Sequence, residues 1–198
     1  MQPIGSLPLV LPQQINVGDD NDVVAFISVT DVLEKWFSET DILSVISQSH
    51  TGNSNPAILT DFFDGQLVSE YPATFGRKLL QILLYFDDFE GAKPLGSKRG
   101  VHTMFAVYFT LLNLPMKYRS KIESMHLALL TKSCSVTKNG LDVILDPLIN
   151  DLKLWQKTGV VATVNGMTYT LLGHVAFVRA DNLAANQIAG FTQNFSHG

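Results

Sequence analysis

Apolar residues are arranged differently in residues 1–77 and 78–198. In the second part they form compact runs. Leu79 to Phe86 is almost uninterrupted, the pattern of a strand buried on both faces. A turn rich in Gly, Pro and Lys follows from Gly91 to Gly100. His102 to Leu114 is a second run, stopped by Pro115, and Met125 to Thr131 is a third, so the three predict a meander. Asp146-Pro147 then predicts a helix start, with Asp as N-cap and Pro in the first helical position, and residues 140–145 as a preceding turn. Leu148, Ile149, Leu152 and Trp155 mark its apolar face, and Gly159 closes it. Val160 to Val164 and the run from Met167 flank Asn165-Gly166, a type I′ hairpin signal. The returning strand is expected to continue through Val175, Phe177 and Val178 to Asp181, and a helix to begin at Asn182.

Residues 1–77 read differently. Prolines and an acidic Gly18 to Asp22 stretch predict an extended lead over 1–22, and Val23 to Val29 a short strand or a helix approach. Asp31 and Glu34 have capping-box spacing ahead of Val32, Leu33, Trp36 and Phe37, and a second short helix is expected through Ile42, Leu43, Val45 and Ile46. Ser49 to Pro56 is a loop by composition, and Asp61 to Gly65 ends in a turn. The expected organisation is a partly helical N-terminal extension, 1–77, leading into an α/β (α+β) unit, 78–198, with a mixed sheet and flanking helices.

Composition narrows the function classes. Of the 198 residues, 46% are hydrophobic and 16% charged, a profile that fits a folded, core-rich chain and argues against disorder. The net charge of −4 argues against a broad basic face for nucleic acid. Contact with DNA then has to be local or metal-bridged, and Lys98-Arg99 and the Lys117 to Lys121 stretch are the small basic clusters available. Cys134 is the single cysteine, so no internal disulfide forms, and it reads as an ordinary thiol in a loop or at a strand end. The single cysteine leads to the expectation of an intracellular protein; the proline-broken N-terminus shows no basic leader, and no apolar run is long enough to span a bilayer.

The residues with the most chemistry are aspartates at two strand ends. Asp87 and Asp88 follow the Leu79 to Phe86 run, and Asp181 follows His174 to Ala180. A carboxylate at the mouth of a buried strand needs a partner, and two on neighbouring strands hold a divalent metal between them. Adjacent residues of a strand face opposite ways, so one of Asp87 and Asp88 faces such a site, and Asp87 is preferred because it ends the apolar run. The plainer readings are a strand-end turn for Asp87-Asp88 and a helix N-cap for Asp181. His102 and His174 read as packing or surface residues, because no His or Cys stands at ligand spacing. The Gly91 to Gly100 turn lacks phosphate-loop spacing and reads first as a solvated turn, with contact from Lys98 and Arg99 to a phosphate near Asp87 as the second reading.

The element order, with Leu84-Tyr85-Phe86-Asp87-Asp88-Phe89-Glu90, Lys93-Pro94-Leu95-Gly96-Ser97, Asn113 to Arg119 and Asp181 to Phe191, resembles transposase-derived proteins of the CACTA/EnSpm-like DD(E/D) class. The resemblance covers residues 79–198 and implies part of a ribonuclease H-like fold. It implies Mg²⁺ or Mn²⁺ as cofactor, DNA as partner and a nuclear setting. The ancestral activity it implies is metal-dependent cleavage and transfer of DNA strands. Carried over, Asp87 and Asp181 take the catalytic positions, Asp87, Asp88 and Asp181 are the metal-ligand candidates, and Lys98 and Arg99 the DNA contacts. Such proteins place a third acidic residue well beyond the second, whereas this sequence ends at Gly198. The expectation is therefore a transposase-derived fragment, catalytically incomplete by itself, with self-association through apolar surface left open. Two alternatives stand beside it: a domesticated, non-catalytic interaction or weak DNA-binding module, and an unrelated α/β binding domain.

Overall fold

A computed structural model describes residues 9–18, 22–48, 61–64, 79–90, 103–164, 166–180 and 188. Strands β1 (Gln13–Val17) and β2 (Asp22–Phe26) precede helices α1 (Val29–Glu39) and α2 (Ile42–Gln48). A 3₁₀ turn at Phe62–Asp64 comes before β3 (Leu80–Glu90) and β4 (Thr103–Leu111). Short helix α3 (Met116–Arg119) leads to β5 (His126–Lys132), then α4 (Ser133–Asn139) and the long α5 (Leu141–Thr158). Strands β6 (Val160–Val164), β7 (Met167–Leu171) and β8 (Gly173–Ala180) complete the order.

Six strands form one mixed sheet in the order β1-β2-β5-β4-β3-β8, flanked by helices. Every pairing in it is antiparallel except β3 with β8. The β3-β4-β5 meander followed by a helix and a further strand is the order expected from the sequence, and the structure adds that this last strand, β8, pairs parallel to β3. Because α5 lies between β5 and β8 in the chain, the return to the far side of β3 is a crossover of the kind parallel pairing requires.

Alternation along β3 defines the two sheet faces. Ile82, Leu84 and Phe86 are buried in the main core with Trp36 of α1 and Ile144, Leu148 and Trp155 of α5. Leu83, Tyr85 and Asp87 point the other way and are only partly buried. The near-continuous apolar run is explained by a central strand with neighbours on both edges.

Several local expectations are revised. The stretch read as an extended lead contains β1, whose hairpin with β2 joins the main sheet through Ala25 and Phe26 against Leu130 and Leu129. Helix α1 starts ahead of Asp31: Ser28 is its N-cap, and its Oγ accepts from the Asp31 amide at 3.1 Å. Glu34 instead accepts from the Val161 amide at 3.0 Å, tying α1 to β6. Pro147 lies inside α5 rather than at its start. The helix runs through it because Ile144, Leu145 and Leu148 form one continuous buried stripe, and the carbonyl that loses its donor belongs to the exposed Val143. Cys134 is a free, exposed thiol in the first turn of α4, just past the end of β5.

The Asn-Gly hairpin forms, with Gly166 at φ 75°, but its returning strand stops at Leu171. β6 and β7 make a separate two-stranded sheet, and β8 starts afresh at Gly173 beside β3. The break has a packing cause. The Trp155 indole lies against the Gly173 Cα where a Cβ would sit, and its Nε1 donates to the Leu171 carbonyl at 3.2 Å. Among the described residues no helix is long and apolar enough to cross a membrane.

Candidate metal and substrate site

Parallel pairing places Phe86 of β3 opposite Ala180 of β8. Asp87 follows the first and Asp181 the second. Asp181 itself, like Lys98 and Arg99, lies outside the described residues. The described register therefore runs up to the position immediately before each carboxylate on adjacent strands.

Asp87 and Asp88 are separated by the sheet. Asp88 lies on the side of Leu84 and Phe86 and is exposed; its Oδ1 accepts from the Ser133 hydroxyl at 2.5 Å, at the start of α4. Asp87 is half-buried on the opposite face and makes no hydrogen bond or ion pair among the described residues. A partly desolvated carboxylate without a partner is the less stable arrangement, and a cation satisfies it. Its cross-strand partner is Ala106, a single methyl group on the strand that also carries Tyr108.

Three strands converge on that face. Tyr85 is paired with Tyr108 of β4 on one side and with Arg179 of β8 on the other, and Leu83 is paired with Thr110. These residues and Asp87 line an open cavity of about 760 Å³. Burial, then the Asp87 carboxylate, then Tyr85 raise the Tyr108 phenol above its usual range, so it remains a protonated donor at neutral pH. Arg179 is exposed at the cavity and makes no ion pair among the described residues. Thr110 is 7% exposed, and its hydroxyl has no hydrogen-bond partner among the described residues.

Sequence reasoning selected Asp87 and left the cavity residues aside. Stepping back by two from Asp87 gives Tyr85 and Leu83, and stepping back by two from Asp181 gives Arg179, so period two contained a signal for these. Tyr108 and Thr110 enter only through the β3-β4 register, which no local pattern specifies.

Of the histidines, His126 in β5 and His174 in β8 are among the described residues, and His102 lies outside them. His126 is buried between Trp36, at 4.5 Å between ring centroids and 64° between planes, and Phe109, at 5.1 Å and 30°. Burial pushes its pKa down to about 4, so the ring is neutral. His174 is likewise shifted downward by burial. Among the described residues no group of three or more His, Cys, Asp or Glu is placed to hold a metal. The basic stretch after Pro115 has structural roles. Arg119 makes a two-pronged pair with Asp61 at 2.6 and 2.7 Å, and its Nε donates to the Leu114 carbonyl. Lys117 and Lys121 lie 5.0 and 5.2 Å from the Tyr118 ring centre. Compared with family models and with curated proteins, the chain matches none.

Proposed function

We propose that this chain is a transposase-derived domain whose Asp87 end of β3 binds a divalent metal and, through it, a DNA phosphodiester. The observation that supports the reading most is the pairing of Phe86 with Ala180, each directly ahead of a candidate ligand, together with the unpartnered, half-buried Asp87 carboxylate. Mg²⁺ or Mn²⁺ suits an all-oxygen donor set. When bound, such an ion supplies charge stabilisation at the phosphoryl oxygens and lowers the pKa of a coordinated water. The chain's own part is to hold Asp87 on an inner strand of the sheet, to set the Tyr108 phenol beside it, and to offer Arg179 as the nearby cation on the same face. Lys98 and Arg99 are the further phosphate contacts in this reading, and the nucleus is the compartment it implies.

Mn²⁺ titration of the purified chain tests it, by comparing the wild type with Asp87→Ala, Asp88→Ala and Asp181→Ala. Binding is expected to be lost in Asp87→Ala and Asp181→Ala and retained in Asp88→Ala, whose carboxylate is turned to the Ser133 side of the sheet. Binding that is indifferent to Asp87 refutes the metal site and leaves an interaction module as the reading.

A further inference from the structure

The cavity beside Asp87 has features that metal binding does not use. Its floor carries two tyrosines that are cross-strand partners, a leucine, and the buried Thr110 hydroxyl with no hydrogen-bond partner among the described residues. Cross-strand partners have their Cβ atoms about 5 Å apart, so Tyr85 and Tyr108 present a joint aromatic and phenolic surface. A volume of about 760 Å³ is in the range of small-molecule pockets and far exceeds what a metal and its waters need. Placing an unpartnered hydroxyl in such a cavity is costly unless a ligand completes it.

We infer that this cavity receives an unpaired nucleobase of the DNA strand whose phosphate sits at Asp87. Three features select a base over other occupants. Aromatic faces bind bases by stacking without requiring a particular sequence. Thr110 supplies a hydroxyl that both donates and accepts, suited to a base edge. Arg179, paired in register with Tyr85, stands on the same face and supplies positive charge to the attached phosphate. Asp87 is two residues beyond Tyr85 on that face, about 7 Å along the strand, within the reach between a nucleotide's phosphate and its base. The occupant is an unpaired base because a paired one is stacked inside a duplex and has no free face to offer. The inference rests on the phosphodiester reading of Asp87 for the position of the phosphate, and it adds what the neighbouring surface recognises.

Fluorescence anisotropy with a short labelled single strand tests it, against the same strand with one abasic position and the fully paired duplex. Measurement in EDTA reads the cavity without the metal, so it can succeed where the Mn²⁺ titration fails, and the reverse. The single strand is expected to bind roughly tenfold more tightly than the duplex, and Tyr85→Ala or Tyr108→Ala to remove about that factor. Tyr108→Phe keeps the ring and is expected to retain most of the binding. Thr110→Val, close to isosteric, is expected to change the preference among the four homopolymers while leaving the fold intact. Equal affinity for single strand and duplex, or affinity unchanged in Tyr85→Ala, Tyr108→Ala and Thr110→Val alike, overturns the inference.

Discussion

Asp151 holds the start of α1 from more than a hundred residues away in sequence, and its replacement tests how the N-terminal part of the chain is joined to the rest. Its Oδ2 accepts from the Val29 amide at 2.6 Å and the Thr30 amide at 3.3 Å, and its Oδ1 from the Thr30 hydroxyl at 2.7 Å and the Ser28 hydroxyl at 3.2 Å. Val29 and Thr30 open the helix, so their N–H groups have no intrahelical acceptor, and the carboxylate also faces the positive end of the helix dipole. The two short bonds to an ionised acceptor contribute about 1–2 kcal/mol each at this half-buried position, and the dipole adds about 0.5 kcal/mol. The two longer bonds add little. Asp151→Ala is therefore expected to cost about 2.5–4.5 kcal/mol, and Asp151→Asn, which keeps one acceptor and loses the charge, about 1–2 kcal/mol. Urea unfolding followed by far-ultraviolet circular dichroism measures both. A Thr30→Val change makes a double-mutant cycle with Asp151→Ala, and coupling of about 1 kcal/mol is expected across the 2.7 Å bond. If Asp151→Ala lowers stability by less than about 0.5 kcal/mol, α1 is held by its buried Val32, Leu33, Trp36 and Phe37 alone, and the argument fails.

Two further predictions follow from the core. His126 has its folded pKa lowered to about 4 from 6.5, so between these values the unfolded chain takes up a proton that the folded chain does not. Stability is then complete above the unfolded value and falls as the pH drops, by about 2–3 kcal/mol between pH 7 and pH 4.5; urea titrations of wild type and His126→Phe should differ in that slope, and parallel curves would contradict the burial argument. Gly173→Ala places a methyl group against the Trp155 ring and 2.6 Å from the Leu80 carbonyl oxygen, at the junction where β8 begins. It should cost about 3 kcal/mol, read from thermal unfolding, and a near-neutral result would mean that the strand break has another cause.

Much of this molecule is written in local pattern, and the remainder depends on register. The β3, β4 and β5 runs, the α2 helix and the Asn-Gly hairpin were legible because each is set by neighbours within a few residues. The start of α5 was misplaced because Asp146-Pro147 has good N-terminal chemistry, yet a buried stripe that begins before it outweighs one lost backbone bond. The end of β7 was misplaced because its cause, the Trp155 ring on Gly173, joins positions on different elements. The same division runs through the site. Asp87 was visible as the end of an apolar run, and its separation from Asp88 follows from period two, which the Ser133 bond on the far face bears out. Tyr108, Thr110 and Arg179 surround it only because β4 and β8 take up particular registers on β3, and parallel pairing in particular leaves no local signature.

That dependence gives the placement of the site its rationale. β3 is an inner strand, paired with β4 on one edge and β8 on the other, so a carboxylate on its less covered face is held in place while ligands still approach. Its two neighbours bring a polar group of each kind, a phenol from the antiparallel side and a guanidinium from the parallel side, level with Tyr85 and one step before Asp87. A slip of one residue in either pairing would carry Tyr108 or Arg179 through to the α1/α5 side of the sheet. On β4 the buried Phe105, Val107, Phe109 and Leu111 oppose that slip, since it would expose them. For β4, the core that fixes the register is thus what places Tyr108 and Thr110 on the opposite face.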